Sequence, residues 1–401
     1  AVNLHNVVSC VAKGMPQNGG KIACTYQCYL HNKYKINKNK EKSYAFLAFL
    51  QNIYYFCKWR VQTYLCTFDC DLPAHEDENQ DYNTHKDLPT LCKGDFFHSR
   101  DLFCMLEQTP RLQPCMVVAI DENGETIGQI LVHIRSKRRF LGISFTHRAR
   151  IYGEGIYRNG IDYTEKSNLF DTIMDALVRH LLRHRCFHIE LSDISKKMFG
   201  YRTLRRHGFV PIPWIQLHHS LHSKAPEERA SEKVLHRVKR AVESGFETCK
   251  AESEAEIHQL YRLIKRYYRL RKQRYIPKEE LFQQVGSSEH GHIYITLYKG
   301  RMVGGSVVVD SGRESMLWFD AAMEKRYIFY HPHTLTVWFA IKEAHRRKQD
   351  HIHILNLGLP FSHSNYRDFM LSFGGKPVSA YRWFRFSNFI MRHLMFWYYR
   401  L

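Results

Sequence analysis

A carboxylate and two histidines lie close together in the second half of the sequence. Asp320 ends the strand-like run Trp318-Phe319-Asp320, and His331 and His333 flank a proline a little farther on. Ligands of α/β proteins bind at the carboxyl ends of strands, so a carboxylate there can act as a base or orient an amine. Histidine, with an unperturbed pKa near ~6.5, can move protons at neutral pH. Asp320 and His331 are therefore the predicted catalytic residues; the alternatives are a helix cap or loop ion pair for Asp320 and an ordinary histidine for His331.

Four further residues are predicted to bind substrate. Asn356 and Gly358 follow the apolar run that begins at His351, where they could line a cleft. Arg367 could hold a phosphate or a carboxylate in bidentate fashion, with a surface ion pair as the alternative. Tyr381, in the last predicted strand, completes this set.

Patterns for a nucleophilic triad or a metal ion are weak. The sequence has no Gly-x-Ser-x-Gly motif, and no cysteine lies in a comparable turn. Cys24-x3-Cys28 and Cys66-x3-Cys70 could hold zinc, but their spacing is unusual and turn glycines are missing. His351 and His353 alternate on one strand face and could bind a metal ion, but without a cysteine or carboxylate ligand assigned to them they are interpreted as ordinary strand histidines. No metal ion is therefore predicted.

The composition describes a folded, strongly basic protein. The chain has 401 residues, 44% of them hydrophobic, with 59 lysines and arginines against 39 acidic residues and a formal charge of +20. This length supports two to three domains of ~100–200 residues and excludes a disordered or collagen-like chain. A positive charge of this size favours polyanions such as nucleic acid, nucleotide phosphates or an anionic membrane, although a basic proteome would also explain it. The absence of long apolar runs and of a signal peptide predicts a cytoplasmic location.

The elements that must position the candidate residues occur twice. Each copy has a β-hairpin, an amphipathic helix, a short apolar strand, and a glycine-containing turn before a last strand. The hairpin strands are Met116–Ile120 with Thr126–Val132, and Ile293–Leu297 with Met302–Val309. Gly128 and Gly304 occupy the same place in the two hairpins, where a strand glycine is typical of a bulge or a close backbone approach. The repeated order of elements therefore predicts a tandem duplication of one α/β unit.

Three segments are predicted. Residues 1–94, with seven of the 11 cysteines, form an atypical or poorly ordered segment; residues 95–228 form the first unit. Residues 229–401 form the second unit, with a basic helical connector and an aromatic C-terminal tail that could lie at a lipid interface or pack on the unit. In the connector, Arg262, Arg266 and Arg269 share one helix face, which is either solvated or directed at a polyanion.

This order of elements resembles the FemABX family of peptidoglycan-bridge aminoacyltransferases and related N-acetyltransferases (GNAT proteins). The resemblance rests on four motifs that occur in the same order. They are Phe96-Phe97-His98-Ser99, Ile151-Tyr152-Gly153-Glu154-Gly155, Arg237-Val238-Lys239-Arg240-Ala241 with Gly245, and Tyr366-Arg367-Asp368-Phe369 with Phe373-Gly374-Gly375. It implies an α/β fold of tandem GNAT-like (acyl-CoA N-acyltransferase) units and the chemistry of acyl transfer.

The resemblance also implies where the acyl donor would bind. Single-unit acetyltransferases present backbone N–H groups of a Gly-rich turn to the coenzyme A pyrophosphate at a helix N-terminus. The matching turn contributes Tyr330, His333 and Thr334 as predicted donor-binding residues, but it contains no glycine, and neither does the turn near Glu165–Asn168 of the first unit. FemABX members share this loss and take the acyl group from charged tRNA, so acyl-CoA and aminoacyl-tRNA both stay open as donors.

The predicted function is therefore acyl or aminoacyl transfer from a thioester or charged tRNA to an amine or hydroxyl of a cell-envelope precursor. The predicted partners are tRNA, a lipid-linked or peptidoglycan precursor and an anionic membrane surface. The predicted location is the cytoplasm, either free or peripheral at the inner face of the membrane. The alternative is a non-catalytic GNAT-fold module that binds RNA or an anionic membrane.

Overall fold

Thirteen strands form one mixed sheet in the computed structural model, which describes residues 80–82, 88–121, 123–136, 147–192, 199–269, 275–387 and 393. The paired cysteines Cys24, Cys28, Cys66 and Cys70 lie outside the described residues, as does the aromatic tail except His393. Residues 77–401 make up one compact unit. Among the described helices, none combines the length and the apolar character that crossing a bilayer requires.

A short strand, β1 Gln80–Tyr82, precedes the first unit, which begins with a 3-10 turn whose start is capped by Asp95. The elements of the first unit are the 3-10 turn Phe96–His98, α1 Arg100–Gln108, β2 Leu112–Ile120, β3 Thr126–Ser136, β4 His147–Tyr152, β5 Ile156–Tyr157, α2 Tyr163–Arg183, β6 Cys186–Ser192, α3 Tyr201–Arg206 and β7 Val210–Ser220. The β2–β3 hairpin turns at Asp121, whose Oδ1 accepts from the N–H groups of Asn123 at 3.0 Å and Glu125 at 2.9 Å. A short carboxylate that bonds the backbone two residues on is typical of such turns.

The second unit repeats this order after two connecting helices. Its elements are α4 Pro226–Arg229, α5 Glu232–Glu243, β8 Phe246–Lys250, α6 Glu254–Tyr268, α7 Glu279–Ser287, β9 Gly291–Tyr298, β10 Arg301–Ser311, β11 Glu314–Ala322, α8 Pro332–Arg346, β12 His351–Ile354, α9 Asn365–Leu371 and β13 Lys376–Phe386. A capping box of Ser253 and Glu256 starts α6. The predicted stripe Ile257, Leu260 and Ile264 is buried along α6. Its three arginines, Arg262, Arg266 and Arg269, are exposed.

Both hairpin glycines are required by close packing, as the sequence pattern predicted. A Cβ on Gly128 would lie 3.0 Å from the Tyr157 ring and 3.1 Å from Leu169. A Cβ on Gly304 would lie 2.5 Å from Thr336 Oγ1, and the β9–β10 register shifts beside it. The two positions are therefore equivalent in structure as well as in sequence.

The two units exchange their last strands. The strand order is β1-β2-β3-β4-β6-β13-β7-β12-β11-β10-β9-β8, with β5 added to β3. The last strand of the first unit, β7, pairs with β12 of the second, and the last strand of the second unit, β13, pairs with β6 of the first. β7 and β13 also pair with each other, and β4–β6 and β11–β12 are the matching parallel pairs. The predicted tandem GNAT-like α/β fold is confirmed, and the exchange joins its two halves into one sheet.

The two faces of the sheet carry different cores. One face, called here the shared face, is covered by α1, α6 and α7 from both units over a single apolar cluster. Fully buried members of that cluster include Phe103, Leu131, Leu260 and Val309. The other face is covered by α2 in the first unit and by α8 in the second, each over its own cluster. Each fully buried apolar side chain stabilises the fold by about 1.5–3 kcal/mol through its burial. The shared cluster therefore contributes much of the free energy that holds the two units together.

Candidate functional site

A cavity of about 350 Å³ opens on the shared face where the two units meet. The first unit contributes strands β3, β4 and β6, the second contributes β11, and the exchanged strand β13 lies between them. Trp318 and Phe319 form an aromatic part of the wall, and Tyr275 stands in the loop before α7. The cavity therefore belongs to both halves of the duplication and cannot form from one unit alone.

The cavity is strongly cationic. Among the residues that the structure describes, four arginines line it, Arg135, Arg148, Arg150 and Arg382, against one carboxylate, Glu190. The guanidinium carbon of Arg135 lies 4.0 Å above the ring of Tyr275. Guanidinium groups match phosphate and carboxylate groups in bidentate geometry, so this lining suits an anionic ligand.

Glu190 links the two halves of the cavity. Its Oε1 lies 3.7 Å from Arg150 Nη2 and 3.6 Å from Arg382 Nη1. Burial works to raise the pKa of Glu190, but the two guanidinium groups outweigh it and hold the pKa below its usual range. Arg382 also donates from Nη2 to the Leu355 carbonyl at 3.2 Å and to Asn356 Oδ1. The network keeps the carboxylate ionised and fixes Arg382 against β12.

Two cavity histidines are uncharged at neutral pH. Burial, reinforced by the positive charge of the neighbouring Arg150, lowers the pKa of His133 to about 3. Burial likewise lowers the pKa of His188 to about 4. The buried Nε2 of His133 has no hydrogen-bond partner among the described residues. Neutral imidazoles give the cavity hydrogen-bonding groups without adding positive charge.

Asp320 lies near the carboxyl end of β11, one residue beyond the cavity wall, and is 1% exposed. Its Oδ2 lies 2.7 Å from His333 Nε2, and Tyr366 donates to Oδ1 at 2.7 Å. The Tyr268 hydroxyl donates to the Asp320 carbonyl at 3.1 Å. This buried cluster joins α6, α8, α9 and β11, and the carboxylate fixes the orientation of His333.

The other predicted catalytic residue is paired elsewhere. His331, at a φ of 51° before α8, lies with Nδ1 3.0 Å from Oε1 of Glu324. Of the predicted donor-binding residues, only His333 joins Asp320. Tyr330 packs against Phe246 with ring centroids 5.6 Å apart, and Thr334 is buried in the first turn of α8.

One of the four predicted substrate-binding residues lines the cavity. Asn356 does so and accepts from Arg382. Gly358, at a φ of 87°, accepts from the N–H of Ile215 at 2.9 Å, which holds the chain to β7.

Arg367 and Tyr381 have structural contacts away from the cavity wall. Arg367 donates to the carbonyls of Leu359 at 3.0 Å and Ser362 at 2.6 Å. Tyr381 packs on Tyr201 of the first unit, with ring centroids 5.8 Å apart.

Sequence reasoning missed the charged lining of the cavity. Arg148, Arg150, His188 and Glu190 come from two short strands that read as ordinary sheet segments. The available signal was the alternation of polar residues with the buried apolar residues Ala149 and Ile189. Alternate residues of a strand face the same side, so several polar residues on the side that packs against the core indicate a functional site.

The helix N-termini do not fit a coenzyme A pyrophosphate. In the first unit, the Asp162 carboxylate accepts from the Glu165 N–H at 2.7 Å at the start of α2. In the second unit, Glu324 Oε2 accepts from the His333 N–H at 3.2 Å at the start of α8. A carboxylate therefore already occupies an N–H group at both positions where a phosphate would bind, and like charge opposes a second anion.

Residues 229–367 match the family described as acetyltransferase (GNAT) domain. A crystal structure of FemX superposes with a TM-score of 0.55 over 79% of this chain and 99% of FemX, at 9% identity. Residues 229–367 therefore match a GNAT domain, and the fold of the chain is similar to that of FemX. The FemX-like fold is also similar to the structure of L-PGS from Bacillus licheniformis, with a TM-score of 0.50, 8% identity, and coverage of 73% of this chain and 90% of that one. No curated protein gives a significant sequence match.

Proposed function

We propose that this protein transfers an acyl or aminoacyl group to an amine or hydroxyl of an anionic acceptor held in the central cavity. The observation that carries the proposal is the set of four arginines around one glutamate at the junction of the duplicated units. The GNAT domain match supports transferase chemistry in general. A phosphorylated or carboxylate-bearing cell-envelope precursor has the charge that this lining would bind.

The acceptor would be held chiefly by the first unit. Arg148 is exposed on β4, and Arg150 and Arg135 are half-buried beside it, so the three present guanidinium groups to one volume. Arg382 is fixed by Glu190 and Asn356 and would shape the wall. Tyr275 and Trp318 would supply flat apolar surface for the uncharged part of the acceptor.

Acyl transfer needs an uncharged nucleophile and a place for its proton. The amine or hydroxyl attacks the acyl carbonyl, the bond from that carbon to the donor oxygen or sulfur breaks, and the departing oxygen or sulfur takes up the proton that the nucleophile loses. His133, which is neutral and whose Nε2 has no hydrogen-bond partner among the described residues, would orient the nucleophile through a hydrogen bond. Asp320 would act as a positioning residue that holds His333 and Tyr366 beside the cavity wall.

Aminoacyl-tRNA is the favoured donor. Carboxylates at the N-termini of α2 and α8 argue against a pyrophosphate at either one. The formal charge of +20 and the exposed arginines of α6, Arg262, Arg266 and Arg269, suit a nucleic-acid donor. The positive net charge and the exposed arginines also favour the second candidate function, a non-catalytic module that binds RNA or an anionic membrane.

Purified full-length protein distinguishes these functions. It would be incubated with envelope precursors and either a pool of tRNAs carrying labelled amino acids or labelled acyl-CoAs, and mass spectrometry would follow the acceptor. The proposal expects labelled acceptor with charged tRNA. Binding of tRNA with a slope near ~−0.7Z in log K against log salt, but no acceptor labelling from either donor, would support the binding module instead.

Asp320→Asn tests the positioning role. The substitution keeps the shape but weakens the contact to His333, so we expect kcat to fall and the pH profile of kcat to change while KM for the acceptor stays near wild type. A merely structural role would lower the yield of folded protein and leave the pH profile of the remaining activity unchanged.

A further inference from the structure

Three potential metal ligands meet on the sheet away from the cavity walls described above. Glu314 is the first residue of β11 and His351 the first of β12, and the two are paired in the parallel register of these strands. His353 lies two residues along β12, on the same face of the strand. Glu314 was not recognisable as a partner of these histidines from the sequence, because it lies 37 residues before His351, with α8 between them.

We propose that Glu314, His351 and His353 form a zinc site with one open coordination position. Glu314 Oε1 lies 3.1 Å from His351 Nδ1, and Oε2 lies 2.6 Å from His353 Nε2. The ligand atoms of the three residues all lie within 4.8 Å of one another. Tetrahedral zinc with bonds of about 2.0–2.2 Å sets its ligand atoms about 3.3–3.5 Å apart, so side-chain rotations alone would bring these atoms into place.

The chemistry of the three groups suits zinc. Two imidazoles and one carboxylate are a donor set that zinc uses where a fourth position stays open for water or a ligand. Hard cations such as magnesium prefer all-oxygen sets, so nitrogen-rich donors select a transition metal. Two further histidines surround the set: the ring of His218 lies 4.2 Å from that of His353, and the ring of His222 lies 5.2 Å from that of His351.

The site is both accessible and held in place. The Glu314 and His351 side chains are 45% and 32% exposed, while His353 is 10% exposed. His351 also lines a cleft of about 310 Å³ together with His218, Arg229 and Lys376. A metal ion can therefore enter from solvent, and a small anion in the cleft can reach the open position. Bound zinc would fasten β11 to β12 next to the exchanged strand β7, and this inference does not depend on the proposed transferase activity.

Zinc binding to the full-length chain tests the site. Protein stripped with a chelator would be titrated with Zn²⁺ against a chromophoric competitor, comparing wild type with Glu314→Gln and His351→Ala. His258→Gln is the matched control, since His258 pairs with Glu279 at 2.7 Å without a second histidine. We expect both site variants to lose one equivalent of zinc, or to weaken its binding by more than the ~10–100-fold typical of outer-shell changes. The control should bind like wild type.

The N-terminal cysteines require one further readout. X-ray absorption should be measured on wild-type protein that holds the zinc equivalent which the variants fail to bind. The spectrum should show only nitrogen and oxygen ligands near ~2.0 Å, without the ~2.3 Å distance of sulfur. His351→Ala, at a partly exposed position, decides the matter if Glu314→Gln fails to fold. Unchanged zinc stoichiometry and affinity in the folded variants, or sulfur ligation of the lost ion, would overturn the proposal.

Discussion

Substituting Glu190 by glutamine should weaken the fold and strengthen anion binding at the same time. The change removes the carboxylate that lies 3.7 Å from Arg150 and 3.6 Å from Arg382, and keeps the shape of the side chain. The two arginines then face each other and the cavity without a counter-charge. An added anion should take the place of the lost carboxylate, so the two effects have opposite signs.

The magnitude follows from the geometry. One such pair is worth ~4 kcal/mol at an effective dielectric constant of 20, and breaking a buried pair costs about 3–5 kcal/mol. The side chains are 11–25% exposed and the contacts exceed 3.5 Å, so solvent screening reduces the expected loss to about 2–3 kcal/mol of unfolding free energy. Losing one like charge should tighten pyrophosphate binding about tenfold, which corresponds to ~1.4 kcal/mol.

Urea unfolding and calorimetric titration with pyrophosphate measure the two quantities. Glu227→Gln is the control, because Glu227 forms a surface ion pair with Lys342, and its loss should change stability by less than about 1 kcal/mol. Saturating pyrophosphate should restore much of the stability of the Glu190 variant. If that variant unfolds like wild type and binds pyrophosphate no more tightly, the electrostatic account of the cavity is wrong.

Two further predictions concern stability. Burial disfavours the charge of Asp310, but hydrogen bonds from His292 and Arg347 lower its pKa to about 2, so Asp310 stabilises the fold above its unfolded pKa of about 3.8. We expect about 2 kcal/mol of unfolding free energy to be lost as the pH falls from about 4 to 2, a loss that acid titrations of Asp310→Asn should lack. Gly155→Ala should cost more than about 2 kcal/mol in thermal or urea unfolding, because Gly155 has a φ of 92° and a Cβ would lie 2.6 Å from the Gln129 carbonyl oxygen. Wild-type stability of this variant would contradict the packing.

The local elements were predictable from the sequence. The hairpins around Gly128 and Gly304 follow from alternating apolar residues and turn chemistry, and these signals lie within a few residues of each other. The helix α2 follows from apolar residues at helical spacing, and it is present with Ile173, Leu177 and Leu181 buried. Since both copies carry the same local signals, the duplication could be recognised before any pairing was known.

The pairing between distant strands was not predictable in the same way. The sequence of β7 predicts a strand, but that pattern would suit pairing within the first unit as well as pairing with the second. Nothing within β7 specifies β12 as its partner. The cavity depends on that pairing, because Glu190 meets Arg382 only when β13 lies beside β6. For the same reason the sequence placed Asp320 at a strand end but not the His333 and Tyr366 contacts around it.

Steady-state transfer of a labelled amino acid from charged tRNA to envelope precursor tests most directly whether the arginine-lined cavity holds the acceptor. The proteins to compare are wild type, Arg148→Gln, Arg150→Gln and Arg346→Gln. Arg346 is exposed on α8, away from the cavity lining, and serves as the control. The account predicts labelled precursor with wild type and the control, and a KM for the precursor raised at least about tenfold in each cavity variant, in line with the loss of a charge-assisted bond. Equal KM values in all four proteins, or no labelled precursor from wild type, would contradict an acceptor site in the arginine-lined cavity.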